Sequence, residues 1–324
     1  MHELSIVKDI FQTLEDAYPD TYKDIVKIEI QAGLLSNIQP ILIQNAFEAY
    51  VEEFKEYQDV ELEVTILPII AYCKSCNKNF EVQFHRFVCE CGNPSDQIIQ
   101  GEELKISKVT FNKKIMNIHT PKSNQMPVGS VQCENTSLNL LKANDFVAKA
   151  IRDRIPNICV INICSSPGSG KTTLMQETGK RLGKDLNIAV LVGDPETERD
   201  AVRMREVGIN ALQIVTGGMC HIEAQMILQA LDHIDLEGVD LLFIENVGNL
   251  VCPAAFDLGE DYRVTVLAAT EGDDKPKKYP RMFLTSELMV VSKADLLPYV
   301  PFSVEAAAKD AREVNPNLDV NLNK

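Results

Sequence analysis

The chain has no apolar stretch long enough to cross a membrane as a helix, which takes about 20 residues. It shows no internal repeat, and Met1-His2-Glu3-Leu4-Ser5 carries no basic region followed by an apolar block, so no secretory leader is expected. Positive charge is scarce: 32 Lys and Arg face 47 Asp and Glu, for a net charge of −15. Nucleic acids and anionic membrane surfaces are therefore poor partners. The acidic balance suits the handling of metal cations, although solubility alone uses it too. Without an export signal, the nine cysteines are expected as thiols or metal ligands in a reducing cytoplasm. What remains is a chain of 324 residues, 45% hydrophobic, long enough for two domains with separate cores.

Two pattern blocks meet at a polar seam. Before it, Leu4, Val7, Ile10, Phe11 and Leu14 recur at helical spacing, residues 26–30 alternate as a strand, and 41–54 read as a second helix. Strands follow at 62–67 and 104–111, with a cysteine-bearing segment between them. This predicts a small α+β domain over residues 1–112 with a zinc-ribbon-like insertion. Residues 113–132, with Pro121, Pro127 and Gly129 among Lys, Ser, Asn and Gln, read as a linker. From 133 to 324 the pattern alternates. A helix at 138–154 and a strand at 160–164 lead to a glycine-rich loop and a helix. Strands at 188–192, 241–245, 264–268 and 288–291 follow, with helices at 222–231 and 304–314. The expected fold is α/β, with a mainly parallel sheet covered on both faces and ligands bound beyond the carboxyl ends of its strands.

The glycine-rich loop is Ser165-Ser166-Pro167-Gly168-Ser169-Gly170-Lys171-Thr172-Thr173. Between a strand and a helix, such a loop turns successive backbone N–H groups toward a phosphate, and the helix N-terminus adds a favourable dipole. Pro167 to Thr173 would hold the nucleotide, with Lys171 on the β- and γ-phosphates and Thr172 on Mg²⁺. Ser165 stands where the first glycine is usual. Asp194, at a strand end, would hold Mg²⁺ through water or orient the attacking water. Glu245 ends an apolar strand and is followed by Gly248, as in a switch near the γ-phosphate. Lys171, Asp194 and Glu245 are thus the candidate catalytic set, by positioning and charge neutralisation. Asp200 is a weaker candidate for the same set and reads more readily as a helix-surface charge. In Ser292-Lys293-Ala294-Asp295, Asp295 can accept from the guanine N1–H and N2–H₂ edge, and Lys293 can pack across the base. Ser292 lacks the amide of the usual Asn, which predicts weakened guanine selectivity.

Cys73-x-x-Cys76 and Cys89-x-Cys91 are separated by twelve residues. Two thiolate pairs on knuckles can close a structural Zn²⁺ site, and four buried cysteines are the plainer alternative. The second pair is tighter than usual, which makes His85 a reserve ligand. His2, beside a free amine, offers a nitrogen-rich plane suited to Ni²⁺ or Cu²⁺. Cys220, His221 and Cys252 are either a borderline-soft metal site or core residues. Cys159 and Cys164 flank a strand as core residues, and Cys133 falls near the seam.

Met1-His2-Glu3-Leu4-Ser5-Ile6, Gly33-Leu34-Leu35-Ser36, Ala46-Phe47-Glu48 and the paired cysteines resemble HypA-type nickel metallochaperones of NiFe-hydrogenase and urease maturation, over residues 1–112. The resemblance implies nickel at His2 with Glu3 nearby, and zinc at Cys73, Cys76, Cys89 and Cys91. Cys89-x-Cys91 departs from that family's C-x-x-C. The second block resembles HypB-type maturation GTPases. The similarity rests on 216–221 (Thr-Gly-Gly-Met-Cys-His), 243–254 (Phe-Ile-Glu-Asn-Val-Gly-Asn-Leu-Val-Cys-Pro-Ala), 270–276 and 278–280. It implies a metal site, nickel or zinc, at Cys220, His221 and Cys252, near a face on which two GTPase domains pair. That family continues past Lys324 with further base-contacting elements.

Together these imply a cytoplasmic nickel-delivery GTPase using GTP, Mg²⁺, Zn²⁺ and Ni²⁺. Its expected partners are a NiFe-hydrogenase large-subunit precursor and other maturation factors, and it would form a homodimer dependent on nucleotide or metal. Two other readings stay open: a P-loop kinase or ATPase with a zinc-binding accessory domain, and a zinc storage or delivery protein.

Overall fold

A computed structural model describes residues 2–36, 38–95, 97–113, 130–139, 142–194, 199–217 and 219–323. In chain order the first elements are α1 (His2–Ala17), β1 (Ile25–Gly33), α2 (Pro40–Glu53) and β2 (Glu61–Leu67). Three short strands follow, β3 (Ile70–Cys73), β4 (Lys78–Glu81) and β5 (Ile98–Gln100), then β6 (Leu104–Lys113) and β7 (Ser130–Asn139). The remainder alternates: α3 (Lys142–Arg154), β8 (Cys159–Ser165), α4 (Lys171–Leu182), β9 (Ile188–Asp194), α5 (Arg199–Glu206), β10 (Asn210–Val215), α6 (Ala224–Ala230) and β11 (Leu241–Glu245). Last come β12 (Tyr262–Ala268), α7 (Lys275–Lys278), α8 (Pro280–Leu284), β13 (Leu288–Ser292), α9 (Val304–Val314) and β14 (Asp319–Leu322).

The chain forms two compact units that do not follow sequence order. One comprises residues 1–68 and 100–140. The other comprises 69–99, the cysteine-bearing ribbon, together with 141–324.

In the first unit a four-stranded sheet runs β2-β1-β6-β7. Its apolar face takes Ile28, Ile30, Ile106 and Val109, covered by Val7, Ile10, Phe11 and Leu14 of α1 and by Ile43 and Phe47 of α2. The helical spacing in α1 thus serves one buried stripe. Most of the expected linker, residues 114–129, lies outside the described residues. Ser130–Asn139 is a strand, antiparallel to β6 over Lys105–Lys113. The helix expected from Leu138 therefore begins at Lys142: Leu138 packs against the first core, and ladder pairing there overrides helical propensity.

In the second unit seven strands run β10-β9-β11-β8-β12-β13-β14, all parallel. The central strands are buried end to end: β9 and β11 read as near-continuous apolar runs, as strands covered on both faces must. β10 and β14 went unpredicted, because they are edge strands whose short apolar pattern is half exposed. The expected mainly parallel P-loop sheet is otherwise the one observed. In β12, Arg263 is buried in polar company: its guanidinium donates to Glu260 Oε1 at 2.5 and 3.0 Å and to the carbonyls of Ala254 and Phe256. It ties down the loop that follows Cys252.

Glu260→Ala leaves that guanidinium buried without its counter-charge, and should lower stability by about 3–5 kcal/mol in urea unfolding. A loss under about 1 kcal/mol would show that the pair does not hold the loop.

Candidate functional site

The carboxyl ends of β8, β11 and β9 are neighbours in the sheet, so the phosphate loop after β8, Glu245 and Asp194 meet at one edge. Gly168 and Gly170 take left-handed φ of 73° and 95°, which lets the loop curl into α4 without a Cβ penalty. Lys171 is 8% exposed, and its Nζ donates to Ser165 Oγ at 2.8 Å. Ser165, the departure from the usual glycine, thus holds the amine in the ligand-free loop. Thr172 Oγ1 donates to Glu245 Oε1 at 2.6 Å, while Glu245 Oε2 is buried with no hydrogen-bond partner among the described residues. Burial pushes the Glu245 carboxyl up to about 7, against the lowering effects of Thr172 and Lys171. Burial likewise pulls Lys171 below its ordinary value, with Glu245 opposing.

These groups line a pocket of about 470 Å³ that also contains Asp194, Asp200, Arg203 and Gly248. It adjoins a second pocket of about 330 Å³, lined by Lys293, Asp295, Ser292, Arg181 and Asn323. Gly170 and Thr173 belong to both, so a single nucleotide can span them, and the sizes lie in the range of ligand sites. Asp200 was expected as a surface charge. It lines the phosphate pocket instead, paired with Arg203 at 3.2 Å. Arg203 also reaches Gln176 Oε1 at 2.9 Å. Sequence offered no signal for Arg203, because its placement comes from α5 packing on α4. Ser292 Oγ donates to the Ser169 carbonyl at 2.7 Å. It therefore joins the base segment to the phosphate loop, although it is shorter than an Asn.

Among the described residues two clusters could hold a metal ion: Cys73, Cys76, Cys89 and Cys91, and Cys220, His221 and Cys252. In the first, Cys73 and Cys91 sulfurs lie 3.7 Å apart, and Cys76 and Cys89 sulfurs 4.0 Å. Four thiolates at Zn–S bond length in a tetrahedron stand about 3.8 Å apart, so the donor set fits Zn²⁺ and leaves no open position. The tight Cys89-x-Cys91 knuckle is accommodated: the Asn93 backbone N–H and Asn93 Nδ2, the latter 3.3 Å from Cys91 Sγ, help hold that thiol down at about 6. His85 is not in the cluster. Its Nδ1 lies 3.1 Å from the Lys277 carbonyl.

In the second cluster, Cys220 and Cys252 sulfurs are 2.9 Å apart and His221 Nδ1 is 3.9 Å from Cys220 Sγ. His221 Nε2 lies 3.3 Å from Glu223 Oε1, and the ring stacks on Phe256 with centroids 4.1 Å apart. A carboxylate on the far ring nitrogen fixes the tautomer that turns the near nitrogen's lone pair toward the cysteine side of the cluster. Burial pulls His221 down, but Cys220 and Glu223 outweigh it and leave its pKa raised. Gly248 links this cluster to the phosphates. A Cβ there would stand 2.9 Å from Pro167 Cα. Three residues of chain separate it from Cys252, and Asn249 Nδ2 donates to the Cys220 carbonyl at 3.4 Å. Of the remaining candidates, Glu3 is in the first turn of α1. His2 begins that helix, and its side chain lies outside the described residues.

Fold and sites together define a P-loop nucleotide-binding protein carrying two cysteine-rich clusters that could hold a metal ion. The chain belongs to the CobW/HypB/UreG nucleotide-binding domain family, whose model matches residues 159–321. The model of the hydrogenase/urease nickel incorporation metallochaperone HypA matches residues 1–111 ahead of it. The chain is 50% identical over 187 residues to hydrogenase maturation factor HypB of Escherichia coli strain K12, an alignment covering 57% of this chain and 64% of that protein. It thus spans just under two thirds of that relative's length. Among solved structures, HypB from Archaeoglobus fulgidus aligns with a TM-score of 0.53 at 39% identity, over 56% of this chain and 89% of that one. HypB from Helicobacter pylori in complex with nickel aligns with a TM-score of 0.53 at 41% identity, over 56% and 86%.

Because burial raises the Glu245 pKa from 4.5 to about 7, the folded state favours the protonated form. That stabilisation is complete below about pH 4.5 and is lost as pH rises through 7. Glu245→Gln should therefore make the metal-free protein more stable than wild type above pH 7, on the order of 1–3 kcal/mol, and about equal near pH 4. Thermal melts across pH test this, and a pH-independent difference would contradict it. Gly248→Ala should displace Pro167 and weaken nucleotide binding about tenfold with a modest loss of stability. Nucleotide affinity unchanged by calorimetry would show that the loop yields freely.

Proposed function

We propose that this chain is a nickel metallochaperone whose GTPase cycle gates delivery of Ni(II) for NiFe-hydrogenase maturation, with urease as a further recipient class. The observation that carries the reading is the Gly248 junction: one short segment begins at Glu245 in the phosphate pocket, packs on Pro167, and ends at Cys252 in a metal cluster. A change at the γ-phosphate has a direct physical route to the metal donors. HypA- and HypB-like regions in one chain support nickel as the cargo.

The nucleotide reaction is hydrolysis, GTP and water giving GDP and phosphate. Lys171 exchanges Ser165 for the β- and γ-phosphate oxygens. Asp295 accepts from the guanine edge, with Lys293 across the base. Mg²⁺, when bound, neutralises charge between the terminal phosphates, held by Thr172 with Asp194 and Glu245. The vacant oxygen of Glu245 and its Thr172 contact make this donor set a suitable one. Asp194 and Glu245 orient the attacking water, and no covalent intermediate is needed. Asp200 and Arg203 complete the polar wall of the same pocket.

Zinc in the four-cysteine ribbon is structural. Nickel enters at His2 with Glu3 and passes to Cys220, His221 and Cys252, whose three donors leave room for exchange. The partners are the hydrogenase large-subunit precursor and other maturation factors, and a homodimer forms through the GTPase unit on binding nucleotide or metal. The chain works in the cytoplasm, where its thiols stay reduced. No helix among the described residues is long and apolar enough to cross a membrane.

The test is a nickel titration of untagged, zinc-loaded protein with Mg²⁺-GTP or Mg²⁺-GDP, beside His2→Ala and Cys252→Ala. One site should vanish with His2→Ala. The other should vanish with Cys252→Ala and change affinity at least about tenfold between nucleotides, a coupling of roughly 1.4 kcal/mol. Equal nickel affinity with GTP and GDP would defeat the gating model.

A further inference from the structure

Phe87 is the largest fully buried side chain of the cysteine ribbon, at 0% exposure. The strands β3, β4 and β5 are only four, four and three residues long, too little to enclose a phenyl ring. The chain at and just before it is fastened to α9 and α7. The Phe87 backbone N–H donates to the Glu313 carbonyl at 3.2 Å, in the last turn of α9. Arg86 Nε stands 3.9 Å from Glu313 Oε2, and His85 Nδ1 stands 3.1 Å from the carbonyl of Lys277, the last residue but one of α7. Lys277 Nζ reaches back to Asp310 at 2.6 Å and Glu313 at 3.4 Å. Phe84 and His85 both take left-handed φ, 52° and 55°, inside a turn closed by the Gln83–Arg86 bridge. Two consecutive non-glycine residues in that region are disfavoured, a conformation that persists only where surrounding contacts hold it.

The docked helix leads straight to the candidate base pocket. After α9, Asn315 Nδ2 donates to the carbonyls of Phe283, Leu284 and Ser286. The chain then enters β14, a four-residue edge strand whose one sheet neighbour is β13. At its end the Asn323 N–H donates to the Val291 carbonyl, and the Asn323 carbonyl accepts from the N–H of Ala294. Ala294 lies between Lys293 and Asp295, and Asn323 itself lines the pocket with them. In that sheet β14 pairs with β13 alone among the described residues, so its position follows where α9 is held.

We propose that ribbon residues 85–87 are a brace that positions the base-binding edge of the GTPase unit, so that the ribbon sets affinity for the guanine base without touching it. This rests on the assignment of Lys293 and Asp295 to the base. The brace acts through α9 and β14, while the phosphate loop follows β8, three strands from β14 in the sheet, and meets the base segment through the Ser292–Ser169 hydrogen bond. His85, Arg86 and Phe87 are positioning residues.

The experiment uses the zinc-loaded full chain, the double variant His85→Ala/Arg86→Ala, and Phe87→Ala. Affinity is measured for GDP and for inorganic tripolyphosphate, which engages the phosphate loop alone, with hydrogen exchange and zinc content read alongside. In the double variant GDP affinity should fall about 3- to 10-fold, the loss expected from one hydrogen bond to a carbonyl and one exposed ion pair. Tripolyphosphate affinity should stay within about twofold, zinc should remain at one ion per chain, and exchange should rise at 319–323. Phe87→Ala should show the same pattern more strongly, and if it fails to fold the double variant decides. GDP affinity unchanged in the double variant, or an equal loss for GDP and tripolyphosphate, would overturn the brace. Wild-type protein that bound tripolyphosphate but showed no preference for GDP over ADP would instead remove the base-site assignment beneath it.

Discussion

A carboxyl group at the end of β11 and an ammonium group at the start of α4 are buried in one pocket, and each is held by a hydroxyl instead of by the other. Lys171 sits on Ser165 and Glu245 sits on Thr172, and no ion pair between them occurs among the described residues. A direct pair would quench both charges and close the pocket. Held apart, one group is ready for phosphate oxygens and the other for a cation, and the parallel sheet that aligns β8, β9 and β11 is what keeps them so.

The two metal clusters divide along the same physical line. The ribbon's four sulfurs already stand near tetrahedral separations, so an ion there completes a closed shell and stiffens a segment with little core of its own. The Cys220, His221 and Cys252 set has three donors, a carboxylate behind the imidazole and a glycine junction to the phosphate loop. A closed shell suits permanence and an open one suits exchange. The second cluster is tied through Gly248 to the phosphate loop, the connection on which the proposed gating depends.

Much of the nucleotide site was legible because its signals are local. A curled loop before a helix needs its glycines, Lys171 and Thr172 at fixed offsets, and Cys73 with Cys76 and Cys89 with Cys91 announce a knuckle pair by spacing alone. The central strands were legible as well, since full burial forces continuous apolar runs. Edge strands β10 and β14 escaped because half-exposed strands carry weak patterns. Ser292 was undervalued for a different reason. Its side chain is short, but the tertiary fold brings the Ser169 carbonyl to it.

The sequence by itself determined the chemistry: which residues can cradle phosphate, which can hold metals, and which segments must be buried. Only the tertiary structure decided the company those residues keep. It put Asp200 and Arg203 into the phosphate pocket, set β7 against β6, and placed the ribbon in one compact unit with the GTPase fold, although it lies inside the first block of the chain. Spacing along a chain encodes contacts within a few residues. Pairings such as Phe87 with Glu313 arise from packing whole elements together, and no local pattern records them.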